Sequence, residues 1–283
     1  MSYGPNPRQQ ASWDWRAAAN FIGGGSGSGL VVFAAFADVR GGAGQLLLAA
    51  GLTLIALGLL CVWLEIGRPW RALNVFSNWR RSWMSREAIV GVLLFAAGAM
   101  VAADVMASWW VVALLAFVFA YCQARILRAA KGIPAWREPW LTPYLLVTAV
   151  TEGAGLFWLC ASQYRAATLP LLAALGVFVV VRLMAWLAYR RHLRGAAPVA
   201  LAALDGVGRL LQLWGTAIPL ALVVIAMSGV VVGPVMFTIA AVAGLCAVVA
   251  GAWTKWTLIT QAGFNQGFAL AHLPVRGVRP AGY

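Results

Sequence analysis

Residues 45–66, QLLLAAGLTLIALGLLCVWLEI, form an apolar stretch that ends beside a carboxylate, Glu65, and runs straight into Gly67, Arg68, Pro69, Trp70 and Arg71. An α-helix rises about 1.5 Å per residue, so about 20 apolar residues cross the roughly 30 Å hydrocarbon layer. This stretch is long enough to do so. The polar run after it continues through Asn74, Arg80, Arg81, Ser82, Trp83 and Ser85 to Arg86 and Glu87, where the next apolar stretch begins. Charge at a membrane boundary is costly unless it is paired, solvated or used, so this segment is where docking or chemistry is expected.

Composition agrees with that reading. The 283 residues are 63% hydrophobic and 10% charged, with a mean hydropathy of +0.83, which leaves too little polar surface for a soluble domain. Further apolar stretches at 15–38, 86–106, 108–130, 141–161, 168–190, 207–228 and 232–260 bring the number of predicted spans to eight. A closed barrel needs short alternating segments, and these runs are long and continuously apolar. The predicted class is therefore an all-α integral membrane protein of eight transmembrane helices in two four-helix bundles, residues 1–131 and 132–283. The first stretch is too long for a signal-peptide core and reads as a retained helix.

Orientation follows from the 21 Lys and Arg residues, of which seventeen fall on the side shared by the two termini and two, Arg40 and Arg165, on the other. The positive-inside rule places both termini in the cytoplasm of a bacterial inner membrane. The formal net charge of +13 is thus a topology signal. A nucleic-acid partner is not expected, because no solvated basic face with interleaved aromatics is present. The 15 Trp residues read as interface anchors and packing.

Cys61, Cys122, Cys160 and Cys246 stand singly, without the spacing that holds an iron-sulfur cluster or zinc. His192 lies in a basic loop and His272 in the tail, so no haem and no cluster is expected on this chain. The tract Gly23-Gly24-Gly25-Ser26-Gly27-Ser28-Gly29 sits inside an apolar span rather than after a strand. It reads as a close-packing surface, one smooth enough to admit a flat ring as well.

A charge at the centre of a membrane helix costs roughly 2.5 to 3.5 kcal/mol on insertion scales. Glu152 and Arg182 fall near the middle of predicted spans and are expected to pair, either as a structural clamp or as a step in a proton path. Lys255 is expected to snorkel to the cytoplasmic face, and Asp38 and Asp104 to be solvated helix ends. On the cytoplasmic side Asp14, Arg16, Asn20, Glu65, Arg68, Arg86, Glu87, Tyr121 and Arg125 gather at helix ends. Such groups suit a quinone head, whose carbonyl oxygens need donors and whose reduction needs two protons; singly, each also reads as an interface residue.

The pattern Gly67-Arg68-Pro69-x-Arg71-Ala72-x-Asn74, followed by Arg81-Ser82-Trp83-x-Ser85-Arg86-Glu87, resembles the signature between the second and third helices of the polysulfide reductase/DMSO reductase membrane-anchor family (NrfD, PsrC and DmsC type). The resemblance implies a subunit without redox metal. It would anchor a four-cluster iron-sulfur subunit and a molybdopterin catalytic subunit, and exchange electrons with ubiquinone or menaquinone. Asn20 and Tyr121 match the family's quinone contacts, with Arg16 and Arg68 beside them, while Glu65 stands where relatives often carry a histidine. Glu65 and Asp14 are then the expected proton relays, and Arg71, Arg81 and Arg86 the expected docking residues. The opening Trp13-Asp14-x-Arg16-Ala17-Ala18-x-Asn20-Phe21 and the Glu-Ile-Gly-Arg-Pro form also resemble membrane subunits of phenylacetyl-CoA:acceptor oxidoreductase or sulfite dehydrogenase, which implies electron delivery to quinone. A secondary transporter built on Glu152 and Arg182, and a structural anchor without a quinone site, are the alternatives.

Overall fold

The computed structural model describes residues 7–65, 69–105, 108–161 and 167–267, for 69–71 the backbone alone. Helices dominate: α1 (Trp15–Phe36), α2 (Gly41–Trp63), a 3₁₀ segment (Pro69–Asn78), α3 (Trp83–Ala102), α4 (Trp109–Ala129), the short α5 (Pro134–Arg137), α6 (Leu141–Leu159), α7 (Leu169–Ala196), α8 (Pro198–Gln212), a π turn (Leu213–Ala217), α9 (Ile218–Met227) and α10 (Pro234–Thr260). Among the described residues the only strand-like pairing is a single bridge between Gln9 and Phe264. The chain is an all-α, multi-pass integral membrane protein. Seven stretches among the described residues are long and apolar enough to cross a membrane: α1, α2, α3, α4, α7, the α8-to-α9 rod and α10.

The remaining long helix, α6, is diluted by Thr142, Thr148, Thr151 and Glu152. Its position explains that composition. It is surrounded by α1, α4, α7 and α10, so its polar side chains face neighbouring helices rather than lipid. The outward faces of α2, α3, α4 and α9 carry exposed Leu57, Leu60, Val92, Leu114 and Val224, as lipid contact requires.

The glycine tract of α1 acts as a packing surface. A Cβ on Gly29 would run into the Ala149 carbonyl of α6, and one on Gly153 would strike the Gly29 backbone. The same helix meets α2 where Gly27 faces the Gly51 carbonyl. Small residues let backbones approach closely where lipid offers no hydrophobic drive for association. As a result α1 packs on α2, α4, α6 and α10 at once.

Two boundaries differ from the sequence expectation. Helix α7 does not stop near 190 but continues to Ala196, carrying Arg190, Arg191 and Arg194 in its final turns. It breaks at Ala197 (φ −155°, ψ 68°), where the residue before a proline is disfavoured in helical geometry and Pro198 starts the next helix. An Arg190–Asp205 ion pair closes this α7–α8 hairpin. Farther on, Pro219 has no N–H and cannot close the α-helical bond to the Gly215 carbonyl, which is why the rod loosens into a π turn there. The freed Gly215 oxygen accepts a hydrogen bond of 2.5 Å from Arg182 Nη2.

Candidate functional site

A cavity of about 400 Å³ opens between α1, the end of α2, the 3₁₀ segment, the start of α3 and α4. Trp13, just before α1, and Ala17, Asn20 and Phe21 of α1 line it, the last three on one face at helical spacing. The end of α2 adds Leu59, Val62, Trp63 and Glu65, the 3₁₀ segment Ala72 and Val75, α3 Met84, Glu87 and Ala88, and α4 Ile126. Most of the wall is apolar. Inside it Asn20 and Glu87 are buried, while Glu65 is exposed.

These two buried groups adjoin one another, and each leaves a polar atom unused among the described residues. Among the described residues neither Asn20 Oδ1 nor Glu87 Oε1 has a hydrogen-bond partner, and an orphaned buried polar atom costs about 1–3 kcal/mol. Gln123 stands beside both, its Nε2 donating to the Asn20 main-chain oxygen at 3.1 Å. Gly24 leaves room for that amide, since a Cβ there would strike it. Among the described residues no group of three His, Cys, Asp or Glu side chains converges as a metal site would require.

Other expected site residues lie around the cavity rather than in its wall. Asp14 caps α1, accepting from the Arg16 backbone N–H at 2.8 Å and pairing with Arg16 Nη2 at 2.8 Å. The hydrogen bonds from Arg16 hold the Asp14 carboxyl below the usual carboxylate range. Arg16 also reaches the Leu64 carbonyl at 3.4 Å, joining α1 to the end of α2. Tyr121 accepts a 2.9 Å hydrogen bond from Arg125 and meets Trp83 edge-on; it is not among the residues that line the cavity. Arg86 donates to the Trp79 and Arg80 carbonyls and lies 4.3 Å from the Trp83 ring centre, ordering the turn before α3. Arg81 is exposed. Arg68, the side chain of Arg71 and His272 lie outside the described residues.

The intramembrane charges pair differently from the expectation. Glu152 is bonded not to Arg182 but to Lys255, with Nζ to Oε2 at 2.6 Å, and Ser26 Oγ donates to the same oxygen at 2.7 Å. Lys255 does not snorkel. It is 2% exposed and also donates to the Phe21 carbonyl at 3.0 Å, because Gly25 leaves space for its ammonium beside α1. Arg182 is buried as well, but its hydrogen bonds go to the Ala247 and Gly215 carbonyls at 2.7 and 2.5 Å. Asp38 is solvated as expected, its side chain 75% exposed beside Arg40 at 2.5 Å.

Sequence reasoning therefore grouped Glu87 with the helix-end polar residues without singling it out, and missed Gln123 as its neighbour and Lys255 as the partner of Glu152. One signal for Glu87 was available. Glu87, Gly91, Leu94, Gly98 and Val101 fall on one buried face of α3 at helical spacing, whereas Arg86 points away from it.

Compared with known proteins, residues 24–232 match the family of the DMSO reductase anchor subunit (DmsC). A sulfite dehydrogenase subunit of Allochromatium vinosum is 31% identical over 168 residues, covering 52% of this chain and 50% of that protein. The chain spans about half the length of this curated relative. The family match includes Glu65, Glu87, Gln123, Glu152 and Arg182.

Proposed function

Since the chain belongs to the DMSO reductase anchor subunit family, we propose that it is the quinone-reactive membrane anchor of a molybdopterin/iron-sulfur oxidoreductase complex. In this reading it passes electrons from a four-cluster iron-sulfur subunit to ubiquinone or menaquinone. The observation that carries it is the cavity at the base of α1, with an apolar wall and two orphaned polar atoms, on Asn20 and Glu87. About 400 Å³ lies within the usual range of small-molecule sites. A flat, largely apolar head with carbonyl oxygens fits that chemistry.

A bound quinone takes up two electrons and two protons to become quinol. Asn20, its amide turned to present the NH₂ end, would hold one carbonyl oxygen. Glu87 carrying a proton would donate to a carbonyl and then give that proton up. Glu65, exposed at the mouth, would return protons from water. Asp14 and Arg16 would hold the rim and supply further proton exchange, while Tyr121 would act through Arg125 and Trp83. Arg68, Arg71, Arg81 and Arg86 would order the loop and meet the iron-sulfur partner, beyond which the molybdopterin subunit docks.

For the topology we read α6 as an eighth span. Its 19 residues reach about 28 Å. An even number of crossings is supported by the tie between the two chain ends, where Gln10 N donates to Gly263 O at 2.7 Å and Asn265 N to Arg8 O at 2.9 Å. Two groups of four, residues 1–131 and 132–283, would then meet across α1 and α6. The basic side would face the cytoplasm across a bacterial inner membrane.

The test is quinone content and turnover of the complex purified through a tag on this chain. Wild type is expected to carry quinone, and Asn20→Leu to assemble with its partners but lose it. A purified complex that reduces its partner's substrate yet holds no quinone and transfers no electrons to added quinone would leave a purely structural anchor.

A further inference from the structure

We propose that the Lys255–Glu152 pair is a proton store serving the Asn20–Glu87 cavity and loaded only from the cavity's side of the membrane; the proposal rests on reading that cavity as the quinone site. Placement supports it first. A space of about 10 Å³ is lined by both Gln123 and Lys255, close to the smallest void that holds one water. Gln123 also adjoins Glu87 and Asn20, so a single water in that space would bring Lys255 within one side chain of the cavity. On the other side the route stops. Past Glu152, toward the end of α6, Phe33, Phe157, Leu172, Leu175, Val179 and Ala243 are packed into one buried apolar cluster, and the buried charged side chains of the described residues are Glu87, Glu152, Arg182 and Lys255, so none follows Glu152 in α6.

Charge supports it second. A structural ion pair needs one cation for its carboxylate, whereas Glu152 has two: Lys255 bonded to it, and Arg182 acting on it through space. Their closeness is imposed at Gly251, where a Cβ would run into Glu152 Oε1 and lie 3.1 Å from Arg182 Nη1. With Lys255 protonated the cluster carries one positive charge in excess. With Lys255 neutral, Glu152 remains balanced by Arg182, and the amine still donates a hydrogen bond to Oε2. Arg182 is held by its bonds to Ala247 and Gly215, so it stays in place through the change. Glu152 Oε1 has no hydrogen-bond partner among the described residues, which leaves the pair room to rearrange.

The proton balance is complete without a further reactant. For each pair of electrons that the partner delivers to the cavity, the Glu87 carboxyl gives up one proton and the Lys255 ammonium the other, by way of a water held in the space beside Gln123. That leaves a Glu87 carboxylate and a neutral Lys255 amine. Both are reloaded with protons from water at the mouth beside Glu65.

The test uses the tagged complex with its co-purified quinone. In redox-induced infrared difference spectra, the Glu152 carboxylate band, assigned with isotope-labelled glutamate and by its loss in Glu152→Gln, is expected to shift when the quinone is reduced, because the neighbouring ammonium loses its charge. A band that stays fixed through quinone reduction overturns the proposal. In a second arm, Glu152→Gln/Lys255→Met replaces the pair by neutral groups of similar size. It is expected to keep its quinone but to reduce it about tenfold more slowly at alkaline pH, where protons from water are scarce. Retained quinone with an unchanged rate across the pH range also overturns the proposal. Absence of quinone from the wild-type complex would instead bring down the reading of the cavity, so the two failures are distinguishable.

Discussion

Lys255 Nζ on α10 lies 2.6 Å from Glu152 Oε2 on α6, with the two side chains 2% and 0% exposed. Removing Lys255 still leaves Glu152 beside Arg182, whereas removing Glu152 leaves two buried cations without a carboxylate. Glu152→Gln is therefore expected to lower stability by about 3–5 kcal/mol, and Lys255→Met by less. The double variant Glu152→Gln/Lys255→Met should recover only part of the Glu152→Gln loss, because Arg182 then has no carboxylate beside it. Thermal unfolding in detergent, followed by tryptophan fluorescence, compares the three.

Glu87 and Glu65 divide the cavity's carboxylates into a buried and an exposed one. Glu87→Gln keeps the shape but removes the proton, so quinone should remain bound while turnover falls about a hundredfold. Glu65→Gln should slow turnover only about twofold or threefold, because water at the mouth performs the same exchange. Quinone extraction and steady-state rates on the same preparations check both. Equal losses in the two variants would contradict the division.

Gly29 on α1 and Gly153 on α6 meet backbone to backbone. A side chain at either position must push the helices apart, and overpacking of this kind costs about 1–3 kcal/mol or more. Gly29→Val should reduce the yield of monodisperse protein by size-exclusion chromatography. Gly42→Val, on α2 where a Cβ meets nothing, should not.

The Asp14 cap gives a pH signature. Its folded-state pKa is depressed by the hydrogen bonds from Arg16, so its contribution to stability is fully present above the unfolded value of about 4 and is lost as pH falls through the folded value. Wild type should melt above Asp14→Asn at neutral pH, and the two curves should converge in acid. A gap that stays constant down to that range would show that the cap acts without its charge.

Much of this was legible in order along the chain. Apolar runs marked the helices because lipid tolerates only a backbone bonded to itself, and the small residues of α1 marked its packing face. Asn20 and Glu65 were legible as polar groups at helix ends. The partners of buried charges were not. Glu152 and Arg182 both stand near mid-span in sequence, yet the proton-bearing contact belongs to Lys255, 103 residues away from Glu152. Arg182 is diverted by a backbone defect at Pro219 that a hydropathy profile does not register.

The sequence by itself determined the class of protein, the approximate helices and the basic side, since each depends on composition and spacing along one chain. Tertiary structure alone decided which polar groups share a space: Glu87 with Asn20 and Gln123, and Lys255 with Glu152. The reason is physical. Crossing the membrane is a local property of about 20 residues, whereas the satisfaction of a buried charge depends on helices that glycines such as Gly25 and Gly29 bring within reach.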